Sequence, residues 1–380
     1  MRVLFDFTQI PLKRTGVGVY ADNLLVNLIS VLRDQDTLIV VAQNDDQKVL
    51  NAIRGLQNAQ LLTIPSRVFR NRALLFGFEQ LILPLIAVFQ RADLIHSLHY
   101  THPLVAWTRR IVTIHDMTFF LYPELHTRSR RGIMRFFIRH AIKRAEALIF
   151  DSQSSQKDAE RILPIGDNLR SVAPLGVSPQ PIEEDNSCDK LPAELSGSTR
   201  YLLFVGTIEP RKNIVRIVQA FERIAKQHPR LQLVFAGKLG WYTDEIVAAI
   251  KNSPMSERIH SLGFVSDDQK WALLRNCQVL VYPSLYEGFG LPILEGMAAG
   301  APVVTSNLSS MPEAAGDAAL LVDPLDVEAI ANAIAVLLEA DGQQRQILVK
   351  RGKQNVERFT WKGTAVATYS AYCSLISKAQ

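Results

Sequence analysis

Glu287 and Glu295 stand eight positions apart, on either side of the run Gly288-Phe289-Gly290-Leu291-Pro292. The residues before them, QVLVYPS at 278–284, read as a strand, and Pro292 falls where proline is favoured in the first turn of a helix. A helix that opens at the C-terminal end of a strand presents free N–H groups and the positive end of its dipole, which together attract an anion. The glycines let a phosphate come close to the backbone. Glu295, about one turn inside the helix, can accept hydrogen bonds from a ribose, and Glu287 lies near whatever the distal phosphate carries. Carboxylates also favour helix starts for structural reasons, so the turn alone supports either reading.

A second piece is FVGTIEPRKN, 204–213, where a strand ends at Gly206 and Glu209, Arg211 and Lys212 follow, with Asn213 as the expected N-cap of the next helix. Arginine binds phosphate bidentately and lysine binds it as a point charge, so the two cations suit a diphosphate. A solvated Arg-Lys pair is the alternative; together with the helix start in the same half of the chain, diphosphate binding is the better account. In TIHDMTFF, 113–120, His115 and Asp116 end another strand, where a histidine can do acid-base work, contact a sugar or serve structure alone. TGVGVYA, 15–21, reads as GxGxxA, but TQIPLKR separates it from the first strand, so a tight dinucleotide-binding turn is not expected. A glycine-rich loop, Gly16-Val17-Gly18, lying over a phosphate fits better. Asp34-Gln35-Asp36 resembles a metal-binding DxD but precedes a strand and reads as a loop.

The elements that must position these residues are thirteen short apolar runs: RVLFDF, TLIVVA, AQLLTI, DLIHSL, RIVTIH, ALIFDS, RSVAPL, YLLFVG, LQLVFAG, RIHSLGFV, QVLVYPS, APVVTS and AALLVD. Helical periodicity lies between them, as in NIVRIVQAFERIAKQH, and such alternation means parallel sheets covered on both faces. It breaks once, at 177–199, a Pro-, Ser- and acid-rich stretch that reads as a linker. The expected architecture is α/β, with doubly wound Rossmann-like domains at 1–176 and 200–358 facing each other across a cleft. A last helix, 359–380, is expected to cross back to the first domain. Ligands of open α/β sheets sit beyond the C-terminal strand ends.

The 380 residues carry 48% hydrophobic and 21% charged side chains, as a globular protein does. Cys188, Cys277 and Cys373 form no CxxC or Cys/His cluster, so neither disulfides nor a zinc site is expected. MRVLFDF reads as a strand rather than a secretion signal, and ALLFGFEQLILPLIAVF, 73–89, is interrupted by Glu79, Gln80 and Pro84, short of a bilayer span. The expected location is the cytoplasm, including the inner face of the cell membrane. The net charge of +5 is uneven: residues 1–176 hold 22 Lys/Arg and 15 Asp/Glu, or +7. The densest part, RSRRGIMRFFIRHAIKRAE at 128–146, is a basic amphipathic helix that can rest on an anionic membrane or simply carry a solvated basic face. Arg67, Arg70 and Arg72 lead into the apolar 73–89 stretch in the same half.

In this order the pieces resemble the retaining glycosyltransferases of the GT-B fold, specifically the GT4 family. The likeness is most specific at 201–324, through LFVGTIEPRKN, LVFAGKLGW, LGFV and VYPSLYEGFGLPILEGMAAGAPVVTSNLSSMPEAAGDAALLVDP, where Glu287 and Glu295 match the family's E-x7-E. The resemblance implies that Arg211, Lys212, the backbone of Phe289, Gly290 and Leu291, and the Gly16-Val17-Gly18 loop bind a donor diphosphate. It implies that Glu295 holds the ribose and that Gly263-Phe264-Val265 meets the nucleobase. Glu287 would contact the transferred sugar, His115 would lie beside it, and Asp116 would orient His115 or its loop. No metal or cofactor is implied, and no nucleic-acid partner. IHDMTFFLYPELHT and SNLSSMPEAAGDAAL are similar to the bacterial mannosyltransferase branch of O-antigen or exopolysaccharide assembly, which implies GDP-mannose and a polyprenyl-diphosphate-linked glycan acceptor. UDP- or dTDP-sugars are alternative donors. The rival readings are a non-catalytic nucleotide-sugar-binding protein, an NAD-dependent oxidoreductase built on GVGVYA, and a pyridoxal-phosphate-dependent GT-B phosphorylase, for which no lysine motif stands out.

Overall fold

The computed structural model describes residues 1–164, 166–178, 191, 195, 200–339 and 342–377. Most of the 177–199 stretch read as a linker lies outside the described residues. The chain divides into two compact units, Met1–Gly176 with Trp361–Gln380, and Val177–Thr360.

All thirteen apolar runs form strands. In the first unit these are β1 Arg2–Asp6, β2 Thr37–Gln43, β3 Ala59–Ile64, β4 Leu94–Ser97, β5 Arg109–Ile114, β6 Ala147–Phe150 and β7 Leu169–Val172. They pair in parallel in the order β3-β2-β1-β4-β5-β6-β7. Residues such as Val3, Leu4, Phe5, Leu38, Ile39 and Val40 are fully buried in succession, which only a sheet covered on both faces allows. The order reverses between β1 and β4, and a ligand site is expected beyond the strand ends at such a switch.

In the second unit, β8 Arg200–Val205, β9 Leu231–Ala236, β10 Ile259–Gly263, β11 Val279–Tyr282, β12 Val303–Ser306 and β13 Leu320–Val322 form a parallel sheet of order β10-β9-β8-β11-β12-β13. The switch here falls between β8 and β11, whose Leu202 and Leu203 lie opposite Val279 and Leu280. Two parallel neighbours release their chains at the same edge. The cations after β8 and the glutamate-glycine turn after β11 are therefore brought together by strand order.

The final helix, Trp361–Ser377, is part of the first unit and packs along the Gly16–Val31 helix. Thr364 donates to the Pro174 carbonyl (2.6 Å), Tyr369 bonds Asp36, and the Tyr372 hydroxyl meets buried His96 at 2.5 Å. Asp36, from the DxD look-alike, thus serves structure: it also takes the N-terminal ammonium at 2.8 Å.

Candidate active site

Beyond β8 the chain makes a short 3-10 turn, Pro210–Lys212, and beyond β11 it runs through Leu285–Glu287. The Leu285 amide donates to the Arg211 carbonyl (2.9 Å) and Arg211 Nη1 donates to the Tyr286 carbonyl (2.6 Å), which zips the two segments together. Glu287 receives Arg211 Nη1 on Oε2 (2.6 Å) and, on Oε1, Lys212 Nζ (2.5 Å) and the Tyr282 hydroxyl (2.9 Å). Glu209 accepts Arg211 Nη2 at 2.7 Å. Two cations and two carboxylates thus form one cluster of balanced formal charge, in which Glu209, Lys212 and Glu287 are buried and Arg211 is partly exposed.

Burial opposes ionisation of Glu287, but Arg211 and then Lys212 outweigh it and bring the carboxyl down to about 2. Burial, followed by the Arg211 charge, lowers Lys212, and Glu287 and Glu209 offset only part of this. The ion pair is therefore lopsided, with charge favoured on the glutamate and disfavoured on the lysine. The cost of desolvating Lys212 is the reason, and the cluster's stabilisation rests on Glu287. Asn213 holds the N-cap position in a left-handed conformation (φ 62°) but makes no side-chain cap. Its amide donates instead to the carbonyls of Pro283 (3.0 Å) and Pro324 (2.6 Å), tying together the loops that follow β11 and β13.

Gly290 begins the Leu291–Ala299 helix at φ +102°, and a Cβ there would lie 3.0 Å from Ile293 Cδ1, so both conformation and space call for glycine. Among the described residues, none accepts a hydrogen bond from the amides of Phe289, Gly290 or Leu291. The Glu287 carbonyl is held by the hydroxyls of Ser309 (2.6 Å) and Ser310 (2.9 Å). Glu295 is buried in the same helix and accepts Lys270 Nζ at 2.7 Å. Gly263, Phe264 and Val265 lie at the C-terminal end of β10, with Phe264 largely exposed.

In the first unit, His115 follows β5 and Asp151 follows β6, whose neighbours Ile114 and Phe150 are paired in register. Asp151 Oδ2 lies 2.7 Å from His115 Nδ1, and Nε2 donates to the Leu98 carbonyl at 2.9 Å. Burial disfavours a charged imidazole, yet Asp151 outweighs it and the His115 pKa is raised. Both ring nitrogens are occupied. Asp116 does not reach His115: its carboxylate accepts the Thr118 amide (2.9 Å) and hydroxyl (2.6 Å), and its own amide donates to Tyr100. It shapes the loop, and Asp151 orients the ring.

Gly16, Val17 and Gly18 form the first turn of the Gly16–Val31 helix rather than a loop. A Cβ on Gly18 would lie 2.8 Å from Arg14 Cδ, so this glycine makes room for arginine. Arg14 is held by Asp22 (2.9 Å), Asp46 (2.7 Å) and the Pro11 carbonyl (2.5 Å). Sequence reasoning missed Asp151, Tyr282, Lys270 and Arg14, and gave Glu209 no role. The one available signal was for Asp151, a carboxylate ending a strand just as His115 does.

The class these features define is a two-unit α/β protein with an Arg-Lys-Glu cluster beside a glycine-opened helix at the topological switch point of its second sheet. Residues 190–355 match the family Glycosyl transferases group 1, and residues 14–180 match Glycosyltransferase Family 4. The Escherichia coli protein named O-antigen chain mannosyltransferase B is 30% identical, over 98% of this chain and 99% of that one. MMP alpha-(1->4)-mannosyltransferase of Mycolicibacterium hassiacum is 28% identical, over 61% of this chain and 54% of that one. Among solved structures, sucrose-phosphate synthase of Thermosynechococcus elongatus matches with a TM-score of 0.75 at 20% identity over 99% of both chains. Anabaena Alr3699/HepE, solved with UDP and glucose, gives 0.73 at 20% identity over 98% of this chain and 100% of that one. The chain belongs to the family 4 glycosyltransferases, with the GT-B fold, and its activity is glycosyl transfer.

Proposed function

We propose that the protein transfers an α-mannosyl residue from GDP-mannose, with retention, to a lipid-linked glycan in O-antigen or exopolysaccharide synthesis. The observation that carries this reading is the joining of Arg211 and Lys212 to Glu287 at the mouth of the Gly290 turn. A relative named for O-antigen mannosyl transfer that matches almost end to end supports the substrate class. On this reading Arg211, Lys212 and the amides of Phe289, Gly290 and Leu291 meet the charge growing on the departing diphosphate, with no metal or cofactor. Glu287 exchanges part of its contact with the cations for a sugar hydroxyl, Glu295 holds the ribose and Gly263-Phe264-Val265 meets the base. His115 Nε2 exchanges the Leu98 carbonyl for a hydroxyl of the sugar.

Thermal-shift titration with GDP, UDP, dTDP and ADP tests the donor. GDP at 100 times its dissociation constant is expected to stabilise by about 2.7 kcal/mol. A shift with UDP and none with GDP replaces GDP-mannose by a uridine donor.

With a lipid-linked acceptor, the first unit rests on the inner face of the membrane. The helix Arg72–Phe89 packs Leu75, Phe78, Leu83 and Ala87 into the core. Its other side turns Leu74, Leu81 (72% exposed), Leu85, Val88 and Phe89 (82%) to solvent. By length and composition it could cross a membrane, but its inner side belongs to the fold. Gln80 clamps the adjoining loop through the His102 carbonyl (3.0 Å) and the Leu104 amide (2.9 Å), and beyond that loop Trp107 is 72% exposed. Phe76 contacts Phe137 of the Arg128–Arg144 helix at 5.9 Å between ring centroids, so the apolar strip meets the basic helix. An apolar strip with cationic neighbours suits an anionic bilayer. The protein is expected to float with vesicles containing anionic lipid, and to lose much of that binding on Arg128→Gln, Arg130→Gln and Arg131→Gln. Binding that is absent, or unchanged by the triple variant, refutes the membrane reading.

A further inference from the structure

We propose that Tyr20 is a positioning residue for His115, itself held by a buried hydrogen-bond chain that runs through Thr113 and His96 to Tyr372 of the final helix. The inference rests on the reading of His115 as the group beside the transferred sugar and goes beyond it. Two tyrosine rings meet the His115 imidazole edge-on, Tyr20 at 5.1 Å and Tyr100 at 5.9 Å between ring centroids. Each is anchored by its own hydroxyl. That of Tyr100 accepts the Asp116 amide at 3.1 Å, and that of Tyr20 bonds Thr113 Oγ1 at 3.0 Å.

Thr113 precedes His115 by two positions, so the two side chains leave the same side of the chain. The Thr113 hydroxyl lies 2.8 Å from His96 Nε2 on the neighbouring strand β4, and His96 Nδ1 lies 2.5 Å from the Tyr372 hydroxyl. Tyr20, Thr113, His96 and Tyr372 are all buried. Burial, and then the His115 charge, push the His96 pKa down to about 3, so its ring is neutral and has one donor and one acceptor. The hydrogen bonds therefore run in one sense along the chain, from Tyr372 to Tyr20 or the reverse. Losing one hydroxyl leaves a buried polar partner unpaired and breaks that order.

Hydrogen bonds alone leave the imidazole loosely fixed. Asp151 Oδ2 holds Nδ1, but among the described residues nothing donates to Asp151 Oδ1, so that carboxylate is not clamped from its other side. When Nε2 leaves the Leu98 carbonyl for a sugar hydroxyl, the ring keeps only its bond to Asp151, and the two tyrosine rings set its plane. A reacting group misplaced by about 1 Å can lose about 10²-fold in rate. The final helix, which the chain reaches only after the second unit, thus helps to place a histidine that follows β5.

Steady-state kinetics of the full chain tests this, with a lipid-linked acceptor and GDP-mannose, or a UDP-sugar if the nucleotide titration above selects uridine. Tyr20→Phe and Tyr372→Phe are each expected to lower kcat by about 10–100-fold while KM for the donor stays within about twofold. The double variant is expected to fall no further than the worse single one, because both hydroxyls act through one chain. Thr113→Ser, which keeps the hydroxyl, is expected to retain most of kcat, and Thr113→Val to lose it as the tyrosine variants do. Should a tyrosine variant fold poorly, this Thr113 pair decides, and full kcat in Thr113→Val overturns the inference. Losses that multiply in the double variant, or a change confined to KM, overturn it too. A large loss of kcat in His115→Ala with none in Tyr20→Phe and Tyr372→Phe removes the positioning role alone. Unchanged kcat in His115→Ala overturns the reading of His115 and the inference together.

Discussion

Lys212→Ala is expected to lower kcat for glycosyl transfer by about 10²–10³, the usual loss when one preorganised donor to a developing negative charge is removed. Lys212 has the right placement for that effect. It is buried beyond β8, with Nζ fixed by Glu287 at 2.5 Å and the Tyr282 hydroxyl at 2.6 Å, and its ring contact with Tyr282 limits its freedom further. A donor held in place before the reaction needs no reorganisation as charge moves to the leaving diphosphate. The substitution removes a charge that burial already disfavours, so stability should fall less than activity. Steady-state kinetics with GDP-mannose and a lipid-linked acceptor separates the contributions. A change confined to KM would mean that Lys212 binds the ground state and the transition state equally, and an unchanged kcat would remove it from the catalytic machinery.

Glu287→Ala is expected to have the largest effect on stability, about 3–5 kcal/mol at neutral pH, because it takes from buried Lys212 its carboxylate partner and from Arg211 one of two, and leaves the Tyr282 hydroxyl without its acceptor. Linkage gives a similar figure. A carboxyl depressed from 4.5 to about 2 contributes about 3 kcal/mol at neutral pH. The sign follows from that depression. The contribution is complete above the unfolded value near 4.5 and is lost as pH falls toward 2. The gap between the parent and Glu287→Ala should therefore be constant from neutral pH down to about 5 and narrow by more than half at pH 3. Denaturant midpoints at each pH measure it. A gap that persists at pH 3 would trace the defect to lost packing instead of lost charge. Because burial weakens Lys212's side of the pair, Lys212→Ala should destabilise less than Glu287→Ala in the same experiment.

Much of this architecture was legible in the chain. The central strands are runs of apolar residues buried in succession, a pattern written in consecutive positions and readable without neighbours, while the edge strands Ala59–Ile64, Leu169–Val172, Ile259–Gly263 and Leu320–Val322 are only partly buried. The helix start at Gly290 and the cations after Gly206 were equally local, and a doubly wound sheet has few ways to arrange alternating strands and helices. The partners of those residues were not local. Asp151 reaches His115 across 36 positions because β5 and β6 are adjacent, and Lys270 reaches Glu295 across 25 because two helices pack together. The Gly18 position illustrates the limit. Its spacing looked like phosphate chemistry, and what fills the space beside it is Arg14, drawn in by Asp22 and Asp46.

The 73–89 stretch shows the same division. Its composition announced an apolar stretch, but a segment apolar on nearly every side carries no mark of which face the core will take. Amino-acid order dictates torsion preferences, burial periodicity and which charges exist, since these act over a few residues. Which carboxylate neutralises which cation, which ring nitrogen is occupied and which apolar face stays bare depend on contacts closed over tens of residues, and those exist only once the sheets have ordered their strands.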